Sequence, residues 1–288
     1  MALPFANGRS PRRIAVCIDD FGLHPGINRA ATQLAEQGRV TAIACMVGAP
    51  HWAAGLSALH ALAAYRVDLG LHLDFTEHPL DRSVRCGLPA LIGRAYAGAL
   101  DRKRVRAEVQ AQFSAFEQAL GRPPDFIDGH QHVHQLPTIR DAVMTALAQR
   151  AGTCRPWLRC TRRFEGAPLA MPQTWAQRAK PRIIEVLGAA ALTRMLRGTA
   201  WAQNAHLLGV YDFGADAAHY RLLMQAWLQR AVDTDLLMCH ASQPTEVADA
   251  ILPARLNEYQ VLNDTSLAAL MAQAGVTLQR MSTILSAP

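Results

Sequence analysis

No apolar run in this sequence is long enough to cross a bilayer. The N-terminal stretch from Met1 to Arg13 carries Arg9, Arg12 and Arg13 but lacks the apolar centre of a secretory signal. Residues 1–13 are therefore expected to form a short disordered arm, and the protein to stay in the cytoplasm. Cysteines are few, and the six present form no C-x-x-C pair, which excludes a thiolate zinc knuckle and a thioredoxin-type motif. Cys17, Cys45, Cys160 and Cys239 sit in apolar runs and read as buried small hydrophobes in a reducing compartment. No Walker-type P-loop, G-x-G-x-x-G or G-x-S-x-G is present, so nucleotide-driven chemistry, dinucleotide binding and serine hydrolysis lack support. The net charge of +6 is modest, and no basic stripe interleaved with aromatics accompanies it, so no nucleic-acid partner is expected.

What is present is a chain of 288 residues, half of them apolar and 18% charged, enough to bury one large core. Apolar β-prone runs alternate with helical periodicity throughout. Strands are expected at 12–18, 40–47, 67–73, 126–134, 157–160, 207–211, 235–239 and 276–280. Helices are expected from Pro25 to Gly38, Trp52 to Ala64, Arg102 to Leu120, Thr138 to Arg150, Asp216 to Ala231 and Ser266 to Ala274. Residues 77–100, with two prolines and three glycines, read as an irregular functional loop. Such alternation implies parallel strands joined by right-handed crossovers, and seven or eight units suggest a closed TIM-like (β/α) barrel rather than an open sheet, in a single domain, 14–288.

The chemistry collects at strand ends. Phe126-Ile-Asp-Gly-His-Gln-His-Val-His134 places His130, His132 and His134 at alternate positions, which an extended chain projects to one side. Asp19 and Asp20 end the first strand, His72 the third, and His240 the strand 235–239. Singly, the aspartates read as turn or capping carboxylates and each histidine as a core residue. In a barrel, however, all these ends meet on one face, where active sites belong. One carboxylate and two imidazoles make a hydrolytic metal site with positions open to water. Zinc suits imidazole best, and a mixed N/O set also holds magnesium, manganese or iron. A second carboxylate beside the metal can serve as general base and a histidine opposite as general acid.

Ile18-Asp-Asp-Phe-Gly-Leu-His-Pro-Gly26, Gly70-Leu-His-Leu73, Ile127-Asp-Gly-His-Gln-His-Val-His134 and Leu237-Met-Cys-His240 resemble, in this order, the YdjC-type carbohydrate deacetylases, a family that includes chitooligosaccharide deacetylases and hopanoid-associated members. The resemblance runs from about Ile14 to about Gln279. It implies a deformed βα barrel, one divalent metal ion (Mg2+ or Zn2+), a cytoplasmic location, and removal of N-acetyl groups from amino sugars, either oligosaccharide or lipid-linked. It also implies Asp20, His72 and His130 as metal ligands, Asp19 as base and His240 as acid. His132, His134, His24 and Arg159 are expected to support the site or touch substrate. The chain departs from the family pattern at His24, commonly Ser, and at Ala241, commonly Pro. Residues 156–205 align with nothing in it.

Two other functions remain on the same residues. A metal phosphoesterase on a similar barrel usually places H-x-H after the first strand, where this chain has Asp-Asp. A non-catalytic sugar- or metal-binding relative needs only one of those aspartates. The run that includes Ile183, Ile184, Val186, Leu187, Leu192, Met195 and Leu196 is flanked by Arg178, Lys180, Arg182, Arg194 and Arg197. This pattern fits a barrel helix with a solvated basic edge first, and a helix making peripheral membrane contact second. The sequence leaves a homodimer open.

Overall fold

The computed structural model describes residues 11–62, 67–150, 155–164 and 175–286. Its frame is a parallel sheet in the order β5-β4-β3-β2-β1-β7-β6. In chain order these strands are β1 (Arg12–Phe21), β2 (Ala42–Cys45), β3 (Asp68–Leu73), β4 (Phe126–Gly129), β5 (Trp157–Leu158), β6 (Leu207–Leu208) and β7 (Leu236–Cys239). The two edges meet through a single bridge, Leu158 to Gln203, supported by the Leu207 amide donating to the Arg162 carbonyl at 2.7 Å. Seven parallel strands thus curl into a deformed, incompletely closed TIM-like barrel. An eighth, β8 (Val276–Leu278), pairs in parallel with the first residues of β1. That pairing makes Arg12 and Arg13 strand residues.

Alternation along each strand sorts the core into two layers. Outward-facing Ile14, Val16, Ile18, Ile43, Leu69, Leu71 and Leu237 pack against the helices. Inward-facing Ala15, Cys17, Ala42, Ala44, Phe126, Trp157, Leu236 and Met238 fill the lumen. Phe126 stacks on Trp157 with ring centroids 4.4 Å apart. Gly70 is required there, because a Cβ at that position would lie 2.4 Å from the Phe126 ring. At the N-terminal end of the barrel, Asp68 accepts hydrogen bonds from Trp157 Nε1 and from the Ser282 amide. Ser282 belongs to the short helix Met281–Leu285, which plugs that end and leaves the opposite mouth for chemistry.

The connecting helices are α1 (Pro25–Glu36), α2 (Trp52–Ala61), α3 (Leu88–Tyr96), α4 (Arg102–Leu120), α5 (Ile139–Gln149), α6 (Trp175–Val186), α7 (Ala189–Leu196), α8 (Ala217–Arg230), α9 (Leu252–Asn263) and α10 (Leu267–Ala274). Asp101 and Asp216 cap α4 and α8 through backbone amides. One expectation needs correction, and one helix was not foreseen. Residues 77–100 are not wholly irregular but contain α3. The strand that begins at Phe126 breaks at the histidine cluster, as its polar end leads one to expect. β4 ends at Gly129, and His130–Gln135 forms a kinked 3-10 segment with Gln131 and His132 at φ 52° and 62°. Helix α9 escaped sequence reading because its buried stripe, Ala254, Arg255, Glu258, Val261 and Leu262, has helical spacing but includes two charged residues. Residues 165–174 and Cys154 lie outside the described residues.

Candidate active site

Adjacent residues on a regular strand face opposite sides, so Asp19 and Asp20 should diverge. The end of β1 prevents this. Ile18 pairs with Ile43 and Phe21 with Cys45, so β1 carries one extra residue against β2, a bulge. Asp20 absorbs it at φ 68°, a left-handed conformation that Asp tolerates better than most residues. Both carboxylates consequently line the same cavity at the barrel mouth. His24 then caps α1, its Nδ1 accepting the Ile27 amide, with Pro25 opening the helix.

Asp20, His72 and His130 are buried, and their nearest ligand atoms all lie within 4.8 Å of one another. Asp20 Oδ1 is 2.9 Å from His130 Nδ1 and 3.3 Å from His72 Nε2. Each of the three side chains is held from behind. His72 Nδ1 donates to Asp128 at 2.7 Å, His130 Nε2 donates to Glu77 at 3.1 Å, and Arg255 donates to Asp20 Oδ2 at 2.7 Å. With protons on the outer nitrogens, the inner nitrogens turn lone pairs toward an already anionic oxygen, an arrangement that a cation satisfies. Proton affinities tell the same story. Burial works against a charged His72, but Asp128 and Asp20 outweigh it and raise the imidazole to about 9. Burial also opposes ionised Asp20, yet Arg255 and His130 hold it well below the usual carboxylate range. The three residues therefore fit a divalent ion, as carboxylate–imidazole sets generally do.

Arg159, at the end of β5, spans the lumen with no exposed surface. Its guanidinium grips Asp19 with two bonds, 2.6 and 2.7 Å, and pairs with Asp128 at 2.6 Å. It also approaches Cys17 Sγ at 3.1 Å, so the Cys17–Asp19–Asp128 cluster, which has ligand-like spacing, is already filled by a guanidinium. Despite burial, this pairing keeps Asp19 ionised and lowered. His240 ends β7 and lines the same cavity. Burial lowers it to about 4 against the pull of Asp20 and Asp19, leaving the imidazole neutral. Behind it stands Glu258, fully buried, accepting the His240 amide at 2.5 Å and the Tyr211 hydroxyl at 2.7 Å, with Oε1 3.9 Å from His240 Nδ1. Burial pushes the Glu258 carboxyl up to about 7.

The supporting histidines separate. His134 donates from Nε2 to the Arg159 carbonyl at 3.0 Å and so fixes β5. His132 faces the cavity, and its buried Nδ1 has no partner among the described residues. His24 bonds Asp249 at 3.2 Å, Asp249 bonds Arg255 at 2.7 Å, and Arg255 holds Asp20. Sequence reading missed Asp128, Arg255, Glu258 and Glu77. Only Asp128 left a signal: it stands two residues before His130 in a strand whose alternation points it inward.

Together the fold and site define an α/β-barrel protein with a buried carboxylate–imidazole centre suited to metal-assisted hydrolysis. Its family follows from sequence: the model described as YdjC-like protein matches residues 13–273, and the chain belongs to that family. It is 29% identical to a human carbohydrate deacetylase, over 94% of this chain and 90% of that protein. It is 28% identical to a chitooligosaccharide deacetylase of Serratia marcescens, over 92% and 96%. The fold is shared with a protein of Enterococcus faecalis V583 named as a candidate for cellobiose-phosphate cleavage, at TM-score 0.65 and 16% identity, covering 96% of this chain and 99% of that one. It is also shared with the Bc1960 peptidoglycan N-acetylglucosamine deacetylase, at TM-score 0.52 and 9% identity, covering 94% and 87%.

Proposed function

We propose that this protein is a divalent-metal-dependent deacetylase of N-acetylated amino sugars, with Asp20, His72 and His130 as ligands, Asp19 as general base and His240 as general acid. The observation that carries the reading is the convergence of three braced ligand atoms beside an independently braced second carboxylate. Relatives named as carbohydrate and chitooligosaccharide deacetylases support the substrate class. A divalent ion held at the triad would act as a Lewis acid toward the acetamide carbonyl and an incoming water. The ligand softness suits zinc and accommodates magnesium.

The chain's own groups do the rest. Arg159 keeps Asp19 anionic and aimed at the cavity, ready to take a proton from water. His240, which lines the same cavity, would protonate the departing amine. Neutral in the free site, His240 must take up a proton before it can act; Glu258, with Oε1 3.9 Å from its Nδ1 and its carboxyl pushed up to about 7, would supply it and would be reprotonated when Asp19 gives up the proton taken from water. Phe213 meets the His240 ring edge-on at 5.1 Å and limits its rotation.

The test is metal analysis and acetate release from a panel of N-acetylated sugars, with phosphate release measured alongside. His72→Ala should lose bound metal and activity together. Asp19→Asn should keep its metal and lose roughly 10²–10⁴-fold in rate. Full metal retention by His72→Ala, or metal loss by Asp19→Asn, overturns the assignment, and phosphate release without acetate release overturns the reaction class.

A further inference from the structure

The two imidazoles of the buried triad are aimed by hydrogen bonds, His72 by Asp128 and His130 by Glu77. His240 is not. Its Nδ1 is buried without a hydrogen-bond partner among the described residues, and Glu258 Oε1, 3.9 Å away, is too far to fix the ring. A group that delivers a proton needs a set direction, commonly supplied by a partner on its far nitrogen. Here packing supplies it. The Phe213 ring stands at 87° to the imidazole, in edge contact with it.

Phe213 is itself held out of its preferred backbone. It lies in the loop 209–216 between β6 and α8, with φ 63°. An aromatic residue in the left-handed region is strained, and it persists there only where its surroundings over-determine it. The Tyr211 ring packs on Phe213 with centroids 5.1 Å apart, and Asp212 accepts the Gly214 amide at 3.2 Å. Lys180 of α6 does more. Its Nζ donates to the Tyr211 carbonyl at 2.8 Å and lies 3.9 Å from the centroid of the Phe213 ring. One ammonium thus grips the segment on both sides of Asp212, by backbone and by ring.

The position is held against a desolvation cost. Burial lowers the proton affinity of Lys180 despite Asp212 and Glu258 nearby. A lysine that only solvated α6 would extend to water, as the exposed Arg178 and Arg182 do. The helix is anchored beyond Lys180, where Gln135 Nε2 donates to the Ile184 carbonyl at 2.8 Å and Arg163 pairs with Glu185 at 3.1 Å. Between these anchors and Lys180 stands Pro181, which has no amide to give to the helix. Lys180 therefore ties the first half of α6 to the loop that carries Phe213.

We propose that Lys180 is a positioning residue for the general acid: from α6 it holds residues 211–214 in their strained form and so sets the Phe213 ring against His240. The consequence for the reaction rests on the reading of His240 as the acid; the placement of the ring does not. Two other roles for a lysine lining this cavity lead to different outcomes. An ammonium that bound an anionic substituent of the substrate would act on KM. One that acted on His240 through its field alone would need no Phe213.

The test is a double-mutant cycle on the full, metal-loaded chain, with Lys180→Met and Phe213→Ala each shown folded by circular dichroism. Turnover is measured on the best amide substrate of the panel above and on p-nitrophenyl acetate, whose leaving group needs no proton. Lys180→Met should lower kcat on the amide about tenfold, a part of the roughly 10²–10⁴-fold that a positioned acid is worth. KM, and turnover of the ester, should stay within about twofold of the parent. Lys180→Arg keeps a donor and a cation for the ring and should recover most of the rate. The double variant should lose no more than Phe213→Ala alone, since Lys180 acts through that ring.

A second readout does not depend on the reaction: carbethoxylation of His240 by diethylpyrocarbonate, followed by peptide mass spectrometry. The His240 side chain is only 13% exposed, so the parent should react slowly. Lys180→Met should speed the modification at least about threefold by releasing the loop, and Lys180→Arg should restore the parental rate. Additive losses in the double variant, a harmless Phe213→Ala, an effect confined to KM, or unchanged reactivity of His240 each overturns the positioning role. Faster carbethoxylation with equal losses on amide and ester supports the placement of the ring and overturns the reading of His240 as the acid.

Discussion

Replacing Arg159 by Met tests the internal bracing more directly than removing any ligand. Methionine fills much of the same volume but leaves Asp19 and Asp128, both buried, without their shared counter-charge. Breaking a buried ion pair by deleting one partner typically costs about 3–5 kcal/mol, and here one guanidinium serves two carboxylates. A drop near the upper end of that range is expected in urea unfolding at neutral pH. The sign with pH is fixed by Asp19. The fold holds its proton affinity below the ordinary carboxylate value, so its contribution to stability is present above that value and is lost as pH falls. Without Arg159 this contribution disappears, and the deficit of the variant should shrink as pH drops below about 4. The acid limb of the pH–rate profile should move upward, because an unpaired buried Asp19 holds its proton to higher pH. Arg159→Lys should recover part of the stability but little of the rate, since one ammonium cannot reproduce the two-pronged grip. Destabilisation under about 1 kcal/mol, with an unmoved acid limb, would refute the bracing argument.

His240→Gln should slow an amide substrate far more than an activated ester, whose leaving group needs no proton; equal losses in a comparison of kcat would count against an acid role. Glu258 sits at about 7 in the fold against 4.5 ordinarily, so its contribution is fully present below 4.5 and lost as pH rises through about 7. Glu258→Gln should therefore gain about 3 kcal/mol relative to the parent between pH 4.5 and pH 8, and a pH-independent difference in urea unfolding would contradict this. Gly70→Ala should cost about 1–3 kcal/mol by overpacking, because Phe126 cannot retreat from Trp157; an unchanged urea midpoint would show that the lumen yields more readily than its geometry suggests.

The alternation of apolar runs and helical stripes was enough to reveal a parallel barrel, and strand-end residues Asp19, Asp20, His72, His130 and His240 all line one cavity at its mouth. That much is local: strand parity and the βα repeat carry it without knowledge of any long-range contact. The short blocks around these residues also carried the family resemblance. Helix α9 stayed hidden because Arg255 and Glu258 occupy its inward stripe, and a polar–apolar pattern reads charged residues as solvent-facing. The histidine run is a different case. Its spacing suits a strand, but Gln131 and His132 turn left-handed, so only His130 reaches the triad, while His132 faces the cavity and His134 reaches back to β5.

The sequence by itself therefore determined the architecture, the end of the barrel where the candidate groups gather, and the identity of the groups that could bind an ion. Only the tertiary structure decided how those groups are aimed. Asp19 and Asp20 share a cavity because a bulge in β1 is registered against β2. Their partners, Arg159 and Arg255, lie 140 and 235 residues away in sequence. No periodicity encodes such pairings, since they arise where strands distant in the chain close on one lumen and each buried charge must find an opposite one.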